Sequence, residues 1–469
     1  MMSQSLSFPN NSEFTVDAIM FNHYVFGTLK LVARCQILTV RMSLRNMTTI
    51  NLKIKLTTIC LLSITGLHMT PAATSPSQLN TTAILLVLAL GTFILGLSEF
   101  SMMPMLPLIS ETFASTPSQS GYAISAYAIG VVVGAPILML TTANMKKRHA
   151  LAIFLTLMFI SNGLSAMATS LEQLIVFRFL SGLPHGAYFG AAILLAADIA
   201  PQHKRASYMS KVFMGLTIAT IVGVPIVTLV GQNLSWRYCL AGASALALIA
   251  LVCVYVVIPK IENSQPSNLI NEFSVLKNKL VWSILGIVII GFGGVFCIYT
   301  YIADTILVVT QTPAYTISIA MVMFGIGCTL GNYVLGKAAD RAALKTTGIA
   351  LVCTIIFSVA YVSASHNIWL LYAVIFFIGC SVGLATLIQT LLMDVSPNGH
   401  AMIGALVQCS FNTANAIGPW VGGLFIAQGA MPNETGYVAA VLFAGGLIMW
   451  LLSYLQMNKK NTQLEQCSA

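Results

Sequence analysis

Two charged side chains, Glu99 and Arg178, lie well inside long apolar stretches of the sequence. Burying a charge in a bilayer costs at least about 2.5 to 3.5 kcal/mol, so charges in such places indicate function. Counted along the helices that these stretches predict, both residues lie about 10 Å below the same end and can meet. Arginine keeps its proton in a protein, whereas a carboxyl group exchanges one. We expect Glu99 to carry protons beside Arg178; the alternative is a permanent ion pair.

A histidine, His185, follows Arg178 by seven residues, which is two helical turns, and is expected on a similar helix face. It is a candidate for relaying protons or contacting a substrate, and the alternative is a packing role. Other acidic residues are expected at the ends of the apolar stretches, where water reaches them: Asp304 and Glu172 at one membrane interface, Asp198 and Asp394 at the other.

The elements that would position these residues are membrane-spanning helices. The chain is 57% hydrophobic and 7% charged, with a mean hydropathy of +0.87, which leaves too few polar side chains to coat a soluble globule of 469 residues. A bilayer core of roughly 30 Å needs about 20 apolar residues per helix. Twelve such spans are predicted, at residues 83–106, 121–141, 149–169, 171–197, 207–230, 238–258, 280–303, 315–337, 346–364, 368–393, 402–427 and 436–456.

The basic residues give the predicted topology. All of the 22 lysine and arginine residues except Arg178 and Arg237 lie in alternate gaps between the spans or in the two terminal segments. Cytoplasmic loops carry such an excess, so both termini are expected in the cytoplasm. The net charge of +9 is then a feature of topology, and a nucleic-acid partner is not expected.

The division of the chain follows from the spans. We expect an N-terminal extension at 1–78, a six-helix bundle at 79–258, a cytoplasmic linker at 259–279, a second bundle at 280–458 and a cytoplasmic tail at 459–469. The extension holds an apolar run of about 12 residues, which is too short to span, and Met69 is a plausible start. The ten cysteines are scattered without a metal-binding pattern and are expected to pack as small hydrophobic residues.

The two halves repeat one another. Asp340 after span eight corresponds to Ala143 after span two, and Pro397 after span ten corresponds to Pro201 after span four. Gly418 and Pro419 in span eleven similarly repeat the glycine and proline of span five. Parallel repeats of this kind place a substrate site at their interface near the middle of the bilayer.

At these positions the sequence resembles the major facilitator superfamily, and within it the twelve-helix drug:proton antiporters of the arabinose efflux permease-like branch. The resemblance covers about residues 80–456. It rests on residues 91–100 of span one, 178–186 of span four, 411–419 of span eleven, and above all on the glycine-rich block 215–232 of span five followed by Trp236 and Arg237. It implies an all-α membrane protein with twelve transmembrane helices in two pseudo-symmetric six-helix bundles.

The resemblance also implies gating elements. Gly215, Gly223 and Gly231 recur every eight residues beside Pro225, as a close helix crossing requires, and in the family this block forms a seam that prevents leak. Ordinary helix packing is the alternative. The family's gating motif is matched after span eight by Gly336, Asp340 and Arg341, with the acid expected against the start of span five. The loop after span two departs from that motif, with Ala143 and Asn144 in place of the acid and the arginine.

Seven polar and aromatic residues in the second half are substrate-binding candidates. Amides orient a polar ligand and aromatic walls accept an apolar one, although buried amides also join membrane helices. These candidates are Phe296, Tyr299, Tyr301, Gln389, Gln408, Asn412 and Asn415.

The sequence therefore predicts a proton-coupled exporter of drug-like or sugar-like molecules in a bacterial inner membrane, working by alternating access. Its expected partners are a small-molecule substrate, protons and the lipid bilayer, with the chain acting as a monomer and without a metal or cofactor. The alternatives are a proton-independent facilitator, a metabolite exporter, and a polytopic membrane enzyme. The seven histidines form no acid–base or metal cluster, and no GxxxxGK[ST] loop is present, which argues against an enzyme and against an ATP-driven pump.

Overall fold

The computed structural model of the protein describes residues 76–142, 145–201, 204–259, 277–395 and 400–468. The predicted extension up to residue 75 and linker residues 260–276 lie outside this range. The α-helices of the first half are Pro76–Phe100, Leu106–Thr112, Pro117–Thr142, Lys147–Ala166, Leu171–Ile199, Arg205–Ile218, Val224–Asn233 and Trp236–Val257. Those of the second half are Lys279–Gly286, Gly293–Asp304, Tyr315–Ala364, Ile368–Cys380, Leu384–Val395, His400–Ala427 and Thr435–Ser468.

These helices occupy the predicted spans. Eleven segments of the described chain are long and apolar enough to cross a membrane, and they coincide with predicted spans one to ten and twelve. The remaining prediction, span eleven, is matched by the helix His400–Ala427 of 28 residues, which stands outside that set of eleven. The architecture is the all-α membrane fold that the sequence predicts.

Spans eight and nine form one helical element of 50 residues, Tyr315–Ala364, interrupted at Ala342. A straight helix of that length would extend about 75 Å, more than twice the bilayer core. At Ala342 the backbone is not helical, with φ −161° and ψ 66°, and the helix is kinked there between the two spans.

Span one is broken, which the sequence prediction missed. Its first helix ends at Phe100, a 3-10 turn follows at Met103–Met105, and a short helix continues to Thr112, so the span runs past the predicted end at residue 106. Pro104 and Pro107 lack the N–H that a continuous helix would use. Because the helix stops there, carbonyl groups of its last turn are left for other partners.

Span five crosses span one closely, as the three glycines predict. A methyl group at Gly215 would overlap the Ala89 carbonyl oxygen and the Thr92 side chain. One at Gly231 would lie 2.7 Å from the Met105 sulfur. A π-helical turn, Ala219–Gly223, precedes Pro225 in the same span. Glycine at these positions therefore lets the two backbones approach.

The outer surface is apolar. Val256, Trp369 and Val441 are among many large hydrophobic side chains that are mostly exposed. Such a surface is stable against lipid and not against water. Cys239, Cys297 and Cys328 are buried without disulfides, as packing residues would be, and the described residues hold no group of side chains suited to a metal ion.

The two ends of the bundle differ in charge. We call the end that carries Lys147, Lys204 and Arg341 the basic end, and the opposite end the far end. At the basic end Lys147 forms an ion pair with Asp198, at the end of span four. Spans one, three and five lead from the basic end to the far end, and spans two, four and six return.

Candidate functional site

The Glu99 carboxylate lies at the centre of a polar cluster between the two halves. It is the penultimate residue of the first helix and is 6% exposed. Its Oε1 accepts a hydrogen bond of 2.8 Å from the Asn415 amide in span eleven, and its Oε2 lies 3.7 Å from Nε2 of His185 in span four. A single carboxylate is thus held by side chains from both halves.

Arg178 is fully buried next to this carboxylate but does not pair with it. Its Nη2 donates to the Ser98 carbonyl oxygen at 2.8 Å, and Nη1 lies 3.3 Å from the hydroxyls of Ser98 and Ser181. The guanidinium also lies 4.2 Å from the centre of the Tyr127 ring. The ion pairs of the described residues include none between Glu99 and Arg178.

The break in span one explains this geometry. Ser98 lies in the last turn of a helix, where a carbonyl group has no intrahelical partner and the helix dipole is negative. A guanidinium group can donate hydrogen bonds to that carbonyl group, and its positive charge is favourable next to the negative end of the helix. Arg178 therefore caps the helix that carries Glu99, and a permanent Glu99–Arg178 ion pair, the alternative that the sequence left open, does not match the structure.

His185 connects Arg178's helix to the rest of the cluster. It is fully buried, its Nδ1 lies 2.7 Å from the Tyr127 hydroxyl, and its Nε2 is 3.5 Å from the Gln408 amide nitrogen. Tyr127 contacts both Arg178 and His185, so the two residues share a helix face as the sequence predicts.

Hydrogen bonds between the halves are found at the centre and toward the far end. Four that the structure describes join residues 76–258 to residues 277–468. Two are those of Asn415 and Gln408, and the others run from Ser125 Oγ to the Ala416 carbonyl at 2.9 Å and from the Gln232 amide to the Ala314 carbonyl at 2.9 Å.

The amide candidates of span eleven lie in or next to the cluster. Besides Gln408 and Asn415, Asn412 is 1% exposed and donates to the Gln408 carbonyl at 3.0 Å. The amide oxygens of Asn412 and Asn415 have no hydrogen-bond partner. Two buried acceptors beside a carboxylate are therefore available to a donor.

Two of the aromatic candidates, Phe296 and Tyr299, each pack against another aromatic ring. Phe296 is buried next to Phe292, whose ring also meets Phe411 at 4.6 Å. Tyr299 packs against Phe324 at 4.4 Å and lies 6.3 Å from Phe100, and its hydroxyl has no hydrogen-bond partner.

Tyr301 and Gln389 are not brought into the cluster. The Tyr301 hydroxyl donates to the Pro419 carbonyl at 2.8 Å and fills a seam where a methyl group on Gly121 or Gly423 would meet it. Gln389 is half-buried on the helix Leu384–Val395.

Sequence reasoning missed three polar members of the site, which are Ser98, Tyr127 and Asn162. The Ser98 hydroxyl donates to Asn162 Oδ1 at 2.8 Å, so span three is joined to the same network. A lone asparagine in an apolar span was a usable signal for Asn162. The position of Tyr127 depends on helix rotation, which hydropathy does not report.

Asp304 corrects an expectation. It is 5% exposed, not solvated, because span seven continues beyond it as the π-helical segment Thr305–Thr310. Among the predicted gating residues, Gly336 approaches Thr386, and Arg341 lines a shallow depression at the basic end with Lys337. The Asp340 side chain and residues 143–144 lie outside what the structure describes, so the predicted latch stays a prediction.

The fold and the buried central cluster are those of a polytopic membrane transporter. Residues 88–314 and 305–466 match the Major Facilitator Superfamily. The chain belongs to this superfamily, and its relatives place it in the arabinose efflux permease-like branch. Its members are transporters and not enzymes, which removes the enzyme alternative.

Several proteins similar to this chain are named as transporters. The inner membrane transport protein YdhP of Escherichia coli K12 is 31% identical over 370 residues, covering 79% of this chain and 95% of that protein. The putative transporter AraJ of the same strain is 29% identical, over 79% and 94% of the two chains. A probable sugar efflux transporter of Helicobacter acinonychis is 24% identical, over 77% and 92%.

A solved structure shares the fold. It is a bacterial homolog to the human lysosomal transporter Spinster, in an inward-facing and occupied conformation, with a TM-score of 0.64 and 14% sequence identity. The match covers 81% of this chain and 98% of that one.

Proposed function

We propose that this protein is a proton-coupled exporter of small organic molecules. The observation that carries the proposal is the Glu99 carboxylate, buried at the interface of the halves and bonded to Asn415 across it. A proton that binds there changes the charge of a group on which both halves converge. Proton binding and the relative position of the halves are then linked.

The coupling follows from bond strength. A hydrogen bond to an ionised carboxylate is roughly twice as strong as one between neutral groups. Ionised Glu99 therefore holds Asn415 of span eleven and keeps the halves together at the centre, whereas protonated Glu99 holds it less firmly. Arg178 cannot release its proton, so its role is to fix the end of the helix that presents Glu99. His185 is the candidate relay, because it contacts Glu99, Tyr127 and Gln408.

Alternating access is supported by where the halves touch. The cross-half bonds of Ser125 and Gln232 lie toward the far end, which favours a state that is closed at that end. If the basic end faces the cytoplasm, as its lysines and arginines favour, the closed end faces outward and both termini are cytoplasmic. The close crossing of spans one and five through Gly215, Gly223 and Gly231 then acts as the seam that limits leak.

The substrate we propose is drug-like or sugar-like. The free amide oxygens of Asn412 and Asn415 suit hydroxyl or amine donors, and the rings of Phe296 and Tyr299 suit an apolar body. The names of the sugar efflux relatives support sugars in the test panel. We propose an inner-membrane location, as YdhP's name states for that protein, and a monomer that needs no nucleic-acid partner.

Inside-out membrane vesicles test this function. Lipophilic drugs and small sugars are added to energised vesicles while a pH-sensitive dye reports proton movement. The expected result is proton release that depends on one class of compound and is lost in Glu99→Gln. Glu111→Gln, which changes an exposed acid at the end of the same span, is the matched control and should behave as the unchanged protein.

Two outcomes favour the alternatives. If a compound moves equally in Glu99→Gln after the proton gradient is collapsed, the protein is a facilitator. If neither drugs nor sugars cause proton release while a cell metabolite is transported, the protein is a metabolite exporter.

A further inference from the structure

A second buried acid, Asp304, lies in the half of the protein that does not carry Glu99. It ends the helix Gly293–Asp304 of span seven, in which all twelve residues are buried. Six residues of π-helix separate it from the end of the span, so it lies about 9 Å inside the apolar segment. The mechanism proposed above makes no use of it.

Asp304 has no counter-ion in the described structure. Its Oδ2 atom is buried without a hydrogen-bond partner, and none of the ion pairs among the described residues includes it. An ionised carboxylate that lacks both a cation and a full set of donors is among the costliest groups to bury. A bound proton removes that cost by removing the charge.

Tyr361 in span nine lies in the same buried region. Its side chain is fully buried, and its hydroxyl interacts with the Thr305 side chain and, more weakly, with Asp304. Gly436 of span twelve allows the ring to lie there, since a methyl group would come within 3.1 Å of it. The surroundings of Asp304 are therefore neutral and polar. A protonated carboxyl group can also donate a hydrogen bond, which an ionised one cannot.

The buried titratable groups near Asp304 in the described structure supply no positive charge, and His366, which follows span nine, is exposed. Its own span contributes Tyr301 and Cys297, and Glu434, before span twelve, is occupied by the Met431 backbone amide at 2.7 Å. Spans one and two, which pack on the same helix, bring Glu111 and Tyr122, both exposed.

We propose that Asp304 is a second proton-binding carboxyl group, separate from Glu99 and in the other half of the protein. Its proton stays bound through the transport cycle, and the proposed coupling is assigned to Glu99 alone. Proton binding at Asp304 itself does not require that coupling, so the two proposals can fail independently.

Infrared spectroscopy of the purified full-length protein tests this site without a substrate. A protonated carboxyl group absorbs at a carbonyl frequency distinct from that of a carboxylate. The measurement uses Glu99→Gln as the background, so that a proton on Glu99 does not contribute. At neutral pH we expect Asp304→Asn to remove one protonated-carboxyl band, and Glu111→Gln to leave that band in place. Loss of carboxylate absorption in Asp304→Asn, with the protonated band retained, overturns the proposal.

A second variant covers the case in which Asp304→Asn does not fold. Asp304→Glu keeps a carboxyl group in the same buried region, so one protonated-carboxyl band should remain at a shifted frequency. A protonated-carboxyl band whose frequency does not change in this variant overturns the proposal. Proton movement in the vesicle assay is a separate measurement, so failure there removes the transport coupling and leaves this test standing.

Discussion

At the scale of single residues, the buried arginine has a different task from the one that its charge first suggests. Arg178 donates hydrogen bonds to Ser98 and Ser181, and its guanidinium group lies over the Tyr127 ring. Its positive charge sits where a broken helix exposes a carbonyl oxygen. Glu99 then has no fixed ion pair with Arg178, as the proposed proton exchange at this carboxyl group requires.

Arg178→Lys tests this role. A lysine carries the charge but not the planar fork, so it cannot hold the Ser98 carbonyl and both hydroxyls together. We expect a loss of about 2 to 5 kcal/mol in stability, because buried donors and acceptors are left unpaired. Thermal unfolding in detergent measures it. Arg205→Lys, exposed at the basic end, should change little, and equal effects of the two substitutions would contradict the capping role.

The proposed coupling role of Glu99 predicts how transport should depend on pH. If this carboxyl group is the coupling site, Glu99→Gln fixes it in a neutral state, and the substrate exchange rate should become nearly independent of pH. His185→Gln should leave a pH dependence but slow the exchange, since a relay speeds proton entry without holding the coupled proton. The measurement is isotope exchange in liposomes at several pH values. An unchanged pH profile in Glu99→Gln would rule out Glu99 as the coupling group.

At the scale of helices, the glycine-rich span five determines how closely the first half can pack. A methyl group at Gly215 meets backbone atoms of Ala89, which cannot move aside as a flexible side chain would. Small residues that allow backbone approach are the common basis of close crossings in membranes.

Gly215→Ala should therefore destabilise the protein by about 1 to 3 kcal/mol, the usual range for overpacking. Gly242→Ala in span six is the matched control, because a methyl group there meets no atom within 4 Å. It should be neutral or stabilise by a few tenths to about 1 kcal/mol. Unfolding midpoints of the two variants, measured side by side, give the comparison. Similar midpoints would show that the crossing tolerates the extra carbon.

Helix positions could be predicted from the sequence, but interruptions within helices could not. The position of each apolar segment determines where a span begins and ends, and the observed spans agree with it. In lipid a segment must satisfy its own backbone hydrogen bonds, so a long apolar segment forms a helix. The break after Phe100 and the π-helical turns of spans five and seven change hydrogen bonding without changing hydropathy. For the same reason Glu99, Arg178 and His185 could be found from the sequence as polar residues inside the membrane. Which residues contact them, Tyr127 and Asn415, depends on how the helices are rotated, and hydropathy does not report that rotation.

At the scale of the whole molecule, the two halves are joined at the centre and toward the far end. Ser118 in span two and Gly423 in span eleven meet there: a methyl group at Gly423 would lie 3.0 Å from the Ser118 hydroxyl. Alternating access requires such contacts to separate in each cycle.

A disulfide between these positions should stop transport. The variant combines Ser118→Cys and Gly423→Cys in a background without native cysteines, with Tyr301→Phe to remove the hydroxyl that a side chain at 423 would meet. A Cβ atom at 423 would lie 3.3 Å from the Cα atom of Ser118, which is close enough for a disulfide to be tested. We expect oxidation to abolish transport and a reductant to restore it, while either single substitution leaves transport insensitive to oxidation. Full transport by the cross-linked protein would show that the far end does not open.

The most direct test of proton-coupled export measures the ratio of proton flux to substrate flux. Purified protein is placed in liposomes, and a gradient of the compound that the vesicle assay identified as a substrate is imposed as the only driving force. A pH-sensitive dye enclosed in the liposomes reports proton movement. The account predicts proton flow against the substrate flow in the unchanged protein and in Glu111→Gln, and none in Glu99→Gln. Substrate flow without proton flow in the unchanged protein would contradict it.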